Sequence, residues 1–192
     1  MRWFWIERFI EFERGRRAVA IKNVSLVEEQ LDNYAPGYPV MPNSLIIEGM
    51  AQTAGLLIGE ASGFEARVIL AKIGKAVFHR YAIPGDSLRY TATITDTNSD
   101  GAMATVTSHI GDDLQAEVEF MFAFITEKSF SGGPLFEPVD FVAMVRGFRI
   151  YEVGRTSDGK PLELPPYYAK AQREAEAAYP PIGTPVAPAS AP

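Results

Sequence analysis

Residues 33–59 read NYAPGYPVMPNSLIIEGMAQTAGLLIG, and this stretch decides the fold. Its first part, with Pro36-Gly37, Pro39 and Pro42, is held in an extended, turn-rich path where a helix cannot form. At Asn43 the character changes. Asn43 suits an N-cap, and a long apolar run follows it. The expected helix runs from about Asn43 to Glu60 and ends at Ser62-Gly63. At helical spacing Glu48, Gln52, Gly55 and Gly59 share one stripe, while Leu45, Ile46, Met50, Thr53, Leu56 and Leu57 cover the other sides. A helix that is apolar nearly all round is buried, so a carboxyl group on it is desolvated, paired or in use. Two readings of Glu48 stand at this level. It is either a working acid or a structural one, tied up at a subunit contact or placed near the helix start for the dipole.

Working outward, Ala18–Val24 reads as a strand with alternating faces, and Glu28–Asp32 as a polar approach to the proline loop. Arg67–Gly74 (RVILAKIG) reads as a buried strand. Leu88–Asp96 alternates, Asn98-Ser99-Asp100-Gly101 signals a hairpin, and Ala102–Ile110 follows as a strand. Ala116–Thr126 (AEVEFMFAFIT) is the clearest strand, with Val118, Phe120, Phe122 and Phe124 on one face. One long buried helix followed by antiparallel strands predicts an α+β fold in which a sheet wraps around that helix. Gly55 and Gly59 are expected where the sheet approaches the helix backbone.

The string PGYPVMP-NSLIIEGMAQ-AG resembles the signature of the FabA/FabZ-type beta-hydroxyacyl-acyl-carrier-protein dehydratases. Pro36, Gly37, Pro39, Val40, Met41, Pro42, Leu45, Glu48, Ala51, Gln52 and Gly55 sit at the matching spacing. Phe78-His79-Arg80-Tyr81-Ala82-Ile83-Pro84-Gly85-Asp86 looks like a second segment of that family, and Glu7-Arg8 with Ala20–Val24 looks like its first hairpin. The resemblance covers roughly residues 3–126 and implies a hotdog fold. Two positions depart from the pattern. Tyr34 stands where the family carries its catalytic His, and Asn43 stands where it usually has Gly.

The resemblance implies removal of water from a 3-hydroxyacyl thioester in fatty acid or related acyl-chain synthesis, without a cofactor. By position Glu48 matches the catalytic carboxylate and Tyr34 the missing His; Gln52 matches the residue that supports the carboxylate. The backbone N–H groups of Asn43 and Ser44 match the site that receives the thioester carbonyl. Gly37, Val40, Met41, Ile47 and Phe78 are candidates to line the substrate tunnel. The implied partners are an acyl carrier protein or an acyl-CoA thioester, and a second subunit, as a homodimer or a trimer of dimers. A phenol has a pKa of about 10 against about 6.5 for imidazole, so Tyr34 is a proton donor and a poor base. Three readings stay open: a dehydratase or hydratase with Tyr34 in an altered role, a non-catalytic acyl-thioester-binding subunit, and a thioesterase in which Glu48 activates water.

Composition sets further bounds. The 192 residues are 47% hydrophobic, enough for a packed core with an extension. With no cysteine and only His79 and His109, thiolate chemistry is excluded and a metal site is not expected. A net charge of −6 argues against nucleic-acid binding. The central helix has too few uninterrupted apolar residues to span a bilayer, the N-terminal MRWFWIERFIEF lacks a cleavage site, and a cytoplasmic protein is expected. Arg67, Lys72, Lys75, Arg80 and Arg89 gather mid-chain, either as solvated strand edges or as a dock for an acidic carrier. The expected division is a hotdog domain over 1–127, an extension over 128–179 and a Pro/Ala-rich disordered tail over 180–192. Within the extension, Phe141–Tyr151 fits either a strand or a short helix, and Tyr167–Ala178 a short exposed helix.

Overall fold

The computed structural model describes residues 3–125 and 137–178, without the side chains of residues 32–34. The expected tail over 180–192 lies outside the described residues. A hairpin of β1 (Arg8–Glu13) and β2 (Arg17–Asn23) leads to a short helix α1 (Glu29–Tyr34). The proline loop then enters α2 (Asn43–Ala61), and four strands follow: β3 (Arg67–Phe78), β4 (Ser87–Thr97), β5 (Gly101–Ile110) and β6 (Asp113–Ile125). The described residues continue with α3 (Pro138–Gly147), the short α4 (Ile150–Val153), β7 (Gly154–Arg155), a 3-10 turn over Pro166–Tyr168, and α5 (Ala169–Ala178).

The strands form one sheet in the order β3-β6-β5-β4-β2-β1-β7, antiparallel except where β7 lies parallel to β1. The sheet wraps α2, which packs on β2 through β6. This is the hotdog arrangement. It arises because α2 is apolar on the face made by Ile46, Met50, Ala54 and Leu57, all fully buried, and because the strands alternate Ala92, Val106, Val118 and Phe120 toward that face.

Three local expectations are corrected. Pro42, not Asn43, holds the capping position of α2; its carbonyl accepts from the N–H groups of Leu45 at 3.0 Å and Ile46 at 3.2 Å. The fixed φ of proline suits that place, and it leaves no side chain to cap the helix. β3 is not buried: it is an edge strand with Ile69, Leu70 and Ile73 about 40% exposed, because among the described residues only β6 pairs with it. The tightest approach to α2 falls at Gly49, where a Cβ would lie 2.6 Å from the Trp5 carbonyl and 2.7 Å from the Tyr90 ring. At Gly55 the Phe122 ring stands at an ordinary 3.6 Å, and at Gly59 the close neighbour is the Phe64 ring, not the sheet.

Phe141–Tyr151 is helical. Phe141, Met144, Val145 and Phe148 recur at helical spacing and enter the same core as the sheet and α2. An ion pair buried at its Glu60 end ties the β1–β2 turn to α2: the Arg14 guanidinium donates twice to Glu60 at the last turn of the helix. The neighbouring Tyr151 phenol is pushed up by burial and by the Glu60 carboxylate.

Candidate functional site

The site begins at the start of α2. Its first residues, Asn43 and Ser44, have no intrahelical acceptor for their N–H groups, since the ladder starts with Leu45 and Ile46 returning to Pro42. The loop before it is pinned to the β3–β4 connection, because the Met41 N–H donates to the Ala82 carbonyl at 2.8 Å. Gly37 takes φ +80, which turns the chain at the loop's outer end. Val40 and Met41 are buried beneath the helix start, and Phe78, half-buried, closes β3 against the core.

One turn further along, Glu48 is half-buried on the face of α2 that the sheet leaves open. Its Oε1 accepts a hydrogen bond at 2.9 Å from the Gln52 amide. Gln52 is itself oriented by the N-terminal segment: its Oε1 accepts from the Trp5 N–H, and its Nε2 also donates to the Trp3 carbonyl, both at 2.9 Å. The amide therefore shows Glu48 an N–H and not an oxygen, and the second carboxylate oxygen is left for other chemistry. This clamp was not legible in sequence, since Trp3 and Trp5 lie 47 or more positions from Gln52. Its one signal is the apolar aromatic run before the first strand.

The open face of α2 carries Glu48 and Gln52, with Gly55 at its edge beside the Phe122 ring of β6, flanked by half-buried Leu45, Ile47 and Leu56. Tyr34 is the last residue of α1, and its side chain lies outside the described residues. His79 stands apart at the end of β3, with Nε2 3.6 Å from Glu117 on the strand surface. Among the described residues no cluster of His, Cys, Asp or Glu is arranged to hold a metal ion.

A family model for the FabA-like domain matches residues 4–118. The chain belongs to this family. FabA-like relatives include a 3-hydroxyacyl-[acyl-carrier-protein] dehydratase FabZ of Desulforamulus reducens, 39% identical over 119 residues, covering 62% of this chain and 84% of that protein. Another, from Pelotomaculum thermopropionicum, is 38% identical over 119 residues and covers 62% and 85%. Among solved structures, conserved protein PA5202 from Pseudomonas aeruginosa superposes with a TM-score of 0.52 over 62% of this chain and 87% of that one, at 19% identity. That likeness is one of fold. No described helix is long and apolar enough to cross a membrane.

Proposed function

We propose that this protein is a FabZ-type hydro-lyase that removes water from 3-hydroxyacyl thioesters carried by an acyl carrier protein, in cytoplasmic fatty acid or related acyl-chain synthesis. The observation that carries the reading is the Glu48 carboxylate, held by Gln52 on the uncovered face of a buried helix, one turn beyond the N–H groups of Asn43 and Ser44, which have no intrahelical acceptor.

In this reading the thioester carbonyl lies against the N–H groups of Asn43 and Ser44, which stabilise the enolate oxygen. The free oxygen of Glu48 takes the proton from the carbon next to the carbonyl. Tyr34 gives the phenolic proton to the leaving hydroxyl; the carbon–oxygen bond breaks, the double bond forms and water departs. Transfer of the proton from Glu48 back to the phenolate, through solvent, resets the site. Replacing the family's imidazole by a phenol thus separates the roles, since a neutral phenol near pH 7 donates and does not abstract.

The site is completed by a second copy. The uncovered strand β3 and the open face of α2 support a homodimer in which the acyl chain runs between the helix and the partner subunit. Exposed Lys72 and Lys75 on β3 and exposed Arg89 on β4 support docking of an acidic carrier.

The test is a dehydration assay on 3-hydroxyacyl carrier thioesters. Glu48→Gln is expected to lower the rate by about 10²–10⁴-fold while the fold is kept. If the native chain is inert and Tyr34→His restores dehydration by orders of magnitude, the protein is an acyl-binding subunit that has lost catalysis. Release of free thiol that depends on Glu48 would make it a thioesterase.

A further inference from the structure

Resting on the acyl groove just described, we propose that Phe64 is its end stop, and that the segment 137–178 sets the longest acyl chain accepted by holding Phe64 in place. The catalytic acid and the end of the groove lie on one face of α2. From Glu48 to Gly59 is about 16 Å at the α-helical rise per residue, the reach of a medium-length acyl chain. Along that line Gly55 is half-buried, but Gly59 is fully enclosed. What encloses it is the Phe64 ring, two of whose carbons stand 3.0 Å and 3.2 Å from where a Cβ on Gly59 would be.

Phe64 does not take this position by local preference. It has φ +63, a left-handed conformation that bulky side chains rarely adopt, directly after Gly63 at φ +63. Its N–H returns to the Gly59 carbonyl at 2.7 Å, so the turn folds back over the helix it has just left. The C-terminal segment supplies the brace. The buried Phe141 ring meets Phe64 edge-on at 4.8 Å, Tyr168 stacks on Phe141 at 5.0 Å, and the Tyr167 hydroxyl donates to the Gly63 carbonyl. Each contact comes from residues beyond the stretch that matches the FabA-like domain. The brace is therefore a feature added to the family's site in this chain, and a rigid aromatic wall is what a length limit requires.

The test uses Phe64→Gly in the full chain. Glycine adopts φ +63 without strain, so the ring is removed and the turn is kept. The readout is kcat/KM across 3-hydroxyacyl carrier thioesters graded from short to long. The ratio of long to short is expected to rise at least about tenfold, as each methylene given room is worth about that much. Phe141→Ala combined with Tyr168→Ala is expected to move the ratio the same way by less. A folded Phe64→Gly protein, native by circular dichroism and gel filtration, with an unchanged ratio overturns the proposal. Should the native chain dehydrate no substrate of any length, the catalytic reading fails. The stop is then read from calorimetric affinities for saturated acyl-pantetheines of graded length, where an identical profile in both proteins overturns it. If Phe64→Gly fails to fold, Phe64→Asn, which tolerates the same backbone, takes its place in either assay.

Discussion

Arg14 grips Glu60 with both arms of its guanidinium, Nε to Oε2 at 2.9 Å and Nη2 to Oε1 at 2.5 Å, joining the β1–β2 turn to the last turn of α2. Glu60 is fully buried while Arg14 keeps 38% of its side-chain surface, and the hydrogen bond to Glu60 holds the guanidinium pKa above its ordinary value. Removing one partner strands a charge with no water to take it. Arg14→Met is expected to cost about 3 kcal/mol in denaturant unfolding, and pairing it with Glu60→Leu to recover most of that loss. Equal destabilisation in the single and double variants would show that the pair is not the unit that matters.

Gln52 links the N-terminal segment to the candidate catalytic acid. With the Trp5 N–H on its oxygen and the Trp3 carbonyl on its nitrogen, the amide has one orientation, and Glu48 receives an N–H. Gln52→Leu keeps the side-chain bulk and deletes all three bonds. Dehydration is expected to fall about tenfold through kcat, the equivalent of one hydrogen bond of about 1.4 kcal/mol. Steady-state kinetics separates this from a packing defect, which would show chiefly as lower thermal stability with kcat preserved.

The fold was legible because one stretch combines two signals that agree. The prolines of 36–42 forbid a helix and the run from Asn43 demands one, so α2 and the loop that starts it are both fixed locally. What sequence hid was set by long-range partners. RVILAKIG reads the same whether a strand has two neighbours or one, and among the described residues β3 has only β6. In sequence Glu60 marks only the end of a helix, because its partner Arg14 lies 46 positions away. Phe141, Met144, Val145 and Phe148 carry a helical spacing that separates helix from strand. The candidate site shows the same division: Glu48 and Gln52 stood out on one helix face, whereas their anchorage on Trp3 and Trp5 did not.

Alkaline pH probes the core through Tyr90. Its phenol is fully buried, and burial first, then the Glu28 carboxylate, push it well above the ordinary value of 10.0. A folded pKa raised above the unfolded one means that its contribution is intact below pH 10 and is lost as pH rises beyond it. Stability is expected to be insensitive to this group at neutral pH and to fall above pH 10 with a slope approaching about 1.4 kcal/mol per pH unit. Tyr151, raised chiefly by burial, acts in the same direction. Tyr90→Phe is expected to flatten the slope. Tyrosinate absorbance that accounts for Tyr90 near pH 10 in protein still folded would contradict the assignment.

Gly49 and Gly55 are two glycines on one helix with opposite expected outcomes. A Cβ at Gly49 meets the Trp5 carbonyl at 2.6 Å and the fully buried Tyr90 ring at 2.7 and 3.2 Å, so neither neighbour can yield cheaply. Overpacking of this kind costs about 1–3 kcal/mol, and alanine's better helix propensity offsets at most about 1 kcal/mol of it. Gly49→Ala is expected to lose about 1–2 kcal/mol and to shift tryptophan emission, because the segment that moves carries Trp3 and Trp5. Its effect reaches the candidate site, since the displaced Trp5 N–H is what orients Gln52. At Gly55 the nearest atom is a Phe122 ring carbon at 3.6 Å, an ordinary contact, so Gly55→Ala is expected to gain up to about 1 kcal/mol from helix propensity alone. Denaturant unfolding of the two variants side by side decides the matter. If Gly49→Ala is as stable as Gly55→Ala, with unchanged emission, the N-terminal segment does not lie against α2, and the clamp on Glu48 goes with it.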